Sequence, residues 1–443
     1  MYTPPPPPSA DPGFFDRYAF TIKGFIIFLL SLVLLIPTLF IISLISEREG
    51  RKSEAIHEVS DKWGNTQTVL GPIVAIPYEK VSRDDKGKEY SREIKYLFVL
   101  PENLNVNGNI SSEKRYRGIF EVVLYGGQLS LKGNFKFADA LNQLNGETTL
   151  QWEKAILILG IPDLRGLEDQ VTLQWNDRQT FFEPGVGVSG LVASGIHVNL
   201  PLQAPSVAAN EHNFQIEVSL KGSGQLNFAP IGKVTEVVLK SNWPDPSFSG
   251  SFLPDEKQIS TSGFEAKWKV LNLNRNYPQA WTSEVEVNPA ESTFGVDFFT
   301  PVDNYQRSER SVKYAILFIC LTFLTVFFVE MRQTKRVHPF QYALIGLALV
   351  IFYILLVSIS EHLPFNTAYL IAAVMTVGLN TLFARSLFAS TKMALFVGGA
   401  LTLLYVFLFV VLQQQDYALL IGAIGLFIIL ALVMYFSRQF KQN

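Results

Sequence analysis

The residues best suited to chemistry lie in or beside apolar stretches, where a polar side chain is costly to place and is a functional candidate by default. Glu361 and His362 stand together, a carboxylate beside an imidazole, where one apolar run ends. Such a pair could relay protons or sense external pH, because histidine titrates near neutrality. It could equally end among lipid headgroups or touch a neighbouring domain. Glu330 closes an earlier run, where pairing with Arg332 or Lys335 competes with a gating role. His338, Gln341 and Tyr342 enter the next run behind Pro339, which suits a first helical position, and beside Lys335 and Arg336, which would meet anionic lipid. Anchoring of a helix end competes with function there. Asn380 lies deep in a further run and is expected to hydrogen-bond a neighbouring helix, a bond worth about 0.6–2 kcal/mol.

Other signatures do not hold up against their physical context. Gly185, Gly187 and Gly190 spell GxGxxG, but Glu183 and Pro184 precede them and 191–201 reads as a strand. A dinucleotide site needs a strand before and a helix after, so a glycine-rich hairpin is the better reading. His57, His197 and His212 lie far apart with no paired ligand spacing, and HExxH, P-loop and nucleophile-elbow patterns do not occur. The single cysteine, Cys320, sits in an apolar run, so the polar region must fold without disulfides or a thiolate site. The expectation is no catalytic residue, no cofactor and no metal. With 37 Lys and Arg against 39 Asp and Glu, a nucleic-acid partner is also not expected.

The elements that position these candidates follow from composition. Only 17% of the 443 residues are charged, against about 25% in an ordinary soluble domain, and 48% are hydrophobic. The apolar excess is concentrated at 24–45 and 313–436. At about 1.5 Å per residue, 24–45 spans about 30 Å of hydrocarbon, with Pro37 expected to kink it. It is too long for a signal-peptide core and lacks a small-residue cleavage site, so it reads as an uncleaved anchor. Before it, 1–23 reads as a disordered tail whose prolines at 4–8 are extended. After it, 46–68 reads as an amphipathic helix on Ile56, Val59 and Trp63, with Gly64 as its C-terminal cap. Arg48, Arg51, Lys52 and His57 there form either a lipid-headgroup site or a solvated face.

In the last third, five further transmembrane helices are expected at about 314–329, 340–360, 365–383, 393–412 and 417–436, followed by a tail at 437–443. Six crossings put both termini on one side. Lys and Arg crowd the turns 330–339 and 384–392 and the C-terminus, while the alternate turns hold Glu361 and Asp416 without Lys or Arg. By the positive-inside rule the termini are cytoplasmic and the large domain lies outside.

That domain, 69–312, changes period. Runs at 94–100, 118–125, 129–137, 214–220 and 235–239 alternate or are rich in β-branched and aromatic residues, so the region reads as mainly β, one sandwich or two halves. Ser130-Leu131-Lys132-Gly133 echoes Ser219-Leu220-Lys221-Gly222, and Leu150-Gln151-Trp152 echoes Leu173-Gln174-Trp175, which would fit a duplication. Trp243, Pro244, Phe248, Phe252, Pro254, Phe264 and Trp268 form an aromatic and proline cluster. Exposed, it would dock a partner protein or envelope polymer; buried, it is core. The fold class is thus an α-helical polytopic membrane protein with six transmembrane helices and a large inserted, mainly β extracytoplasmic domain.

Several motifs are specific enough to suggest a family. Val337-His338-Pro339-Phe340-Gln341-Tyr342, Gly346-Leu347, Phe352-Tyr353 and Ser360-Glu361-His362 resemble the CreD family of inner-membrane proteins. So do Leu70-Gly71-Pro72 with Ala75-Ile76-Pro77, Ser241-Asn242-Trp243-Pro244 and Thr300-Pro301-Val302-Asp303. The resemblance covers nearly the whole chain after the proline-rich tail. It implies a bacterial inner-membrane protein tied to cell envelope integrity, often under a regulon responding to β-lactams or envelope stress, and it brings no catalytic residues. The chain is therefore expected to be a non-enzymatic sensor or scaffold, with a transporter or channel bearing a β cap as the competing class. Its expected partners are the lipid bilayer and a periplasmic protein or envelope polymer; ligand and oligomeric state stay open.

Overall fold

A computed structural model of the chain describes residues 19–83, 89–138, 140, 149–203, 211–298, 304–333, 337–414 and 417–437. The proline run at 4–8, the motif at 300–303, Lys335, Arg336, Asp416 and the tail after residue 437 lie outside them. The chain divides into two compact units, one built from Met1–Arg51 and Val302–Asn443 and the other from Lys52–Pro301.

The first unit is helical. Helix α1, Ala19–Val33, begins five residues before the expected anchor, so 19–23 is helix rather than tail. Leu34 interrupts the helix before α2, Leu35–Trp63. The break lies one turn ahead of Pro37, which has no N–H for the Val33 carbonyl and whose ring crowds the preceding turn. Helix α3, Asn304–Lys313, falls in the stretch expected to be β. Its Tyr305, Ser308 and Val312 recur at three- and four-residue steps on one buried face, a helical period that a short segment shows only faintly. It meets α4, Ala315–Met331, at a 47° bend.

Helices α5, Pro339–Ser360, α6, Phe365–Phe388, α7, Thr391–Gln413, and α8, Ala418–Ser437, complete the unit. Among the described residues, Ile22–Trp63, α5, α6 and α7 are long and apolar enough to cross a membrane, and the bent pair α3–α4 makes a fifth if it is one span. Phe25, Phe40, Leu370, Leu382 and Leu403 are each more than half exposed, a surface that suits lipid rather than water. Inside, Phe352 packs edge-on against Tyr405 and Tyr369 at ring distances of 4.7 and 5.5 Å, and the Tyr369 hydroxyl donates to the Tyr405 carbonyl at 2.7 Å.

The second unit is two sheets on one core. The eight-stranded sheet runs Glu256–Ser260, Gly263–Leu271, Val234–Ser241, Asn103–Arg117, Phe120–Phe135, His212–Ser223, Thr172–Trp175, Arg178–Phe181. Its strands alternate buried and exposed side chains, as in Asn103–Arg117, because one face is solvated. The nine-stranded sheet centres on Gln67–Arg83, whose Ile73, Val74, Ala75 and Ile76 are all fully buried. Ile156–Gly160 and Phe294–Phe298 are likewise buried throughout, so the strands of this sheet read as continuous apolar runs.

One hydrophobic cluster draws on both sheets, which makes a single sandwich rather than two halves. The strands that carry the first pair of repeated tetrapeptides, Phe120–Phe135 and His212–Ser223, pair directly as antiparallel neighbours. Of the second echo, Leu173-Gln174-Trp175 is strand while Trp152 opens a 3-10 turn. Gly185, Gly187 and Gly190 take φ of 95°, 73° and 89° between the strands Glu183–Pro184 and Gly195–Asn199, a loop with no helix after it. Gly64 ends α2 at φ 150°, its N–H on the Ser60 carbonyl at 2.8 Å.

Around the last turn of α2 the second unit is cross-tied by charge. Arg165 grips the Asp163 carboxylate through Nε and Nη2 at 2.9 Å each and also donates to the Asp61 carbonyl, while the Asn65 N–H reaches Asp163 at 2.9 Å. The Arg165 hydrogen bonds, against a smaller opposing effect of burial, hold the Asp163 carboxyl down at about 2. A depressed acid stabilises the fold above its unfolded value of 3.8 and loses that contribution as pH falls through the folded value of about 2. Replacement Asp163→Asn is therefore expected to lower the unfolding temperature at pH 7, with the gap to wild type closing between about pH 4 and pH 2. Tryptophan fluorescence of the full chain in detergent measures it; a gap independent of pH would contradict the ion-pair account.

Candidate functional site

Two polar clusters sit at opposite ends of the helical unit. The first gathers the start of α1, the end of α4 and the start of α5. Glu330, 8% exposed, ends α4 with both carboxylate oxygens occupied. Oε1 accepts from the Lys23 ammonium and from the Val337 N–H at 2.8 Å; Oε2 accepts from the Tyr342 hydroxyl at 2.8 Å. Lys23 also donates to the Val337 carbonyl at 2.8 Å and lies 5.8 Å from the Tyr342 ring centre. The tyrosine is fully buried, edge-on to Phe323 at 5.6 Å.

This corrects the pairing expected for Glu330: its partner is Lys23 on α1, not Arg332, and Lys335 lies outside the described residues. Low dielectric is the reason, since a buried carboxylate needs a cation that can reach it without leaving water for an apolar face. A carboxylate already held by three donors has little room left for an ion or a substrate. It is well suited to holding helices together.

His338 and Gln341 are beside this cluster and serve the helix end. The His338 Nδ1 accepts from the Phe340 N–H at 3.2 Å, and the Gln341 Oε1 accepts from the His338 N–H at 2.8 Å, a reciprocal cap completed by Pro339.

The second cluster is at the far end of α5. Glu361, the C-cap of α5, accepts from the Tyr305 hydroxyl at 3.2 Å and faces Arg48 of α2 at 3.6 Å. Asn304 donates to the Ser360 carbonyl at 2.9 Å, docking α3 on the same end. His362 is exposed, and among the described residues its side chain makes no hydrogen bond or ion pair. The carboxylate–imidazole pair, one of the two readings of these residues, is thus not assembled; Glu361 turns to a tyrosine and an arginine instead. Asn380 is buried, yet it donates to the Thr376 carbonyl of its own helix at 3.0 Å rather than to a neighbouring helix, because a carbonyl one turn back is always within reach.

The aromatic cluster of the second unit is core. Trp243, Phe264 and Trp268 are buried, and Phe248 and Phe252 pack partly buried against them: Phe248 lies 5.6 Å from Trp268, and Phe252 lies 6.0 Å from Phe294. Pro244 is half-buried beside them. The residues offer a filled interior, not an exposed docking face. Among the described residues no three His, Cys, Asp or Glu side chains gather as a metal group.

The sequence motifs passed over Lys23 and Tyr305 as site residues and offered Arg48 only to a lipid-headgroup site or a solvated face. Their signals are faint: a single cation one residue before an apolar run, one arginine among many, and a tyrosine opening a ten-residue helix.

Helical block, inserted β unit and polar helix ends extend along nearly all of the chain, and so does its match to one family, Inner membrane protein CreD, over residues 19–442. The chain belongs to the CreD family. It is 34% identical over 415 residues to Inner membrane protein CreD of Escherichia coli (strain K12), covering 92% of this chain and 90% of that protein. Among solved structures, an M1 zinc metallopeptidase from Deinococcus radiodurans overlaps 45% of this chain and 42% of its own at 7% identity and a TM-score of 0.20, too slight a likeness to bear on activity. In CreD-family terms, the Lys23–Glu330 and Arg48–Glu361 pairs fall within the matched region.

The two pairs differ in worth. Breaking a fully buried pair costs about 3–5 kcal/mol and an exposed one about 0–1 kcal/mol; Lys23–Glu330, with side chains 22% and 9% exposed and two further donors on the carboxylate, stands nearer the first than Arg48–Glu361, 36% and 10% exposed. Lys23→Met or Glu330→Gln is therefore expected to lower the unfolding temperature of the detergent-solubilised chain clearly, with the double variant costing less than the sum. Arg48→Met is expected to change it little. Equal effects from all three would contradict the ranking.

Proposed function

We propose that this CreD-family protein is a multi-pass inner-membrane protein whose work is non-enzymatic, its β domain sensing or scaffolding something in the periplasm in the service of envelope integrity. On this reading it has six spans, cytoplasmic termini and a role in the response to envelope stress and β-lactams. The partner is a periplasmic protein or envelope polymer that engages the β domain, with the bilayer as the other.

The observation that carries the reading is where the polar groups of the helices go. Ser31, Thr325, Thr381 and Thr402 each donate to the carbonyl four residues back in their own helix, as Asn380 does. Lys23–Glu330 pairs charges at one end and Arg48–Glu361 at the other. Such a block suits an anchor that holds its shape more than a path for solute. Orientation rests on cation placement: Lys23, Arg332, Arg385 and Lys392 gather at the end where α4 leads to α5 and α6 to α7, the pattern of a cytoplasmic face.

Transport is the second reading, and one observation favours it. Ser308, Ser311 and Thr322, on the bent pair α3–α4, are buried with hydroxyls that have no hydrogen-bond partner among the described residues, and a wet path would supply one. The two readings separate in a deletion strain scored for leakage of a periplasmic marker and for detergent and β-lactam sensitivity. A Ser308→Ala, Ser311→Ala, Thr322→Ala, Asn380→Ala variant at normal membrane abundance is expected to restore the wild-type barrier in full. Failure to restore it would favour transport.

A further inference from the structure

The helices α1 and α2 are tied to the α4–α5 hairpin twice, at points 25 residues apart, Lys23 and Arg48. At one end Glu330 takes three donors, and Lys23 adds a bond to the Val337 carbonyl. At the other end a single arginine nitrogen faces Glu361 at 3.6 Å, with the Arg48 side chain 36% exposed. Between the ties the helix is interrupted at Leu34, whose N–H still reaches the Leu30 carbonyl at 3.0 Å, while Pro37 one turn on has no N–H for the Val33 carbonyl. Leu34 presses on α5 at Gly346, where a methyl group in place of the glycine hydrogen would lie 2.2 Å from the leucine Cδ1 and 2.8 Å from the Phe323 ring. The glycine is what allows this close approach.

We infer that this arrangement is a hinged strap: Lys23–Glu330 is the fixed end, Leu34 against Gly346 the fulcrum, and Arg48–Glu361 the clasp that opens. A strained assembly yields first at its weakest tie, and a helix bends where its hydrogen-bond ladder is already interrupted. Helix α2, Leu35–Trp63, carries Arg48 beyond the fulcrum and is the arm of the strap. The clasp releases Glu361 to Tyr305 alone, while the Lys23 end stays shut. The strap thus gives the sensing role a moving part, and it rests on that reading.

The test uses the full chain in lipid nanodiscs on a Cys320→Ala background, since the native cysteine is exposed. Paired spin labels report the clasp through Ser46→Cys with Leu363→Cys, and the fixed end through Phe25→Cys with Phe340→Cys. With Glu361→Gln or Arg48→Met, the clasp distance is expected to shift longer and broaden while the fixed-end distance stays narrow and unmoved. Lys23→Met is expected to disturb the fixed-end distance. The charge exchange Arg48→Glu with Glu361→Arg should bring the clasp distance back toward wild type. An unchanged clasp distance in the Glu361 and Arg48 variants, or an equal shift at both ends, would overturn the strap. Distances read the strap itself and marker leakage reads the barrier, so either idea can fail alone.

Discussion

A buried carboxylate has to be answered by donors, and in this chain Glu330 is answered by three. Lys23 comes from the first helix, the Val337 N–H from the turn after α4, and the Tyr342 hydroxyl from α5. With Glu330 only 8% exposed there is little room for water to stand in for any of them, so the three segments must arrive together. The reciprocal cap of His338 and Gln341 holds the start of α5 in the direction that brings Tyr342 inward. Apolar packing between membrane helices is weakly selective, because lipid tails compete with it on nearly equal terms. A charge pair inside such a block discriminates among arrangements that packing alone would leave close in energy.

The β unit solves a different problem. It has water around it and a large hydrophobic interior, so its strands sort by how many faces they bury. Alternating strands make the eight-stranded sheet, and strands buried on both faces make the middle of the other. Aromatic rings fill the space between them: Tyr125 lies 4.9 Å from Phe298, and Trp268 lies 5.7 Å from Phe294. Arg275 and Asp297 are buried, but most charges are left to the rim, where Arg165 and Asp163 tie the end of α2 into the unit. In both units ion pairs specify which helix or loop goes where, while in the β unit apolar burial supplies most of the free energy.

Much of this was legible in the residues. Long apolar runs announce membrane helices because only a helix satisfies its own backbone in hydrocarbon, and a period of two announces strands because successive side chains point to opposite faces. These rules separated the helical block from the β region, found α5, α6 and α7 to within a few residues, and read Gly64 as a cap. The motifs carried the family. Short or mixed segments defeated them: α3 is ten residues long, too short for its period to stand out from the β region before it. The start of α1 was hidden because a lysine interrupts its apolar pattern.

What the sequence by itself determined, then, is everything local in origin: which stretches are helix, which are strand, and which polar residues are too costly to be casual. Only the tertiary structure decided the partners. Glu330 could have paired with the nearby Arg332, and it met Lys23, 307 residues away in the chain. Glu361 stands next to His362 and turned to Arg48 and Tyr305. The aromatic cluster around Trp243 and Trp268 could have been a surface and became the interior. The physical reason is the same in each case. A residue's identity sets the cost of leaving it unsatisfied, but which distant group satisfies it depends on how whole elements pack, and no spacing along the chain records that.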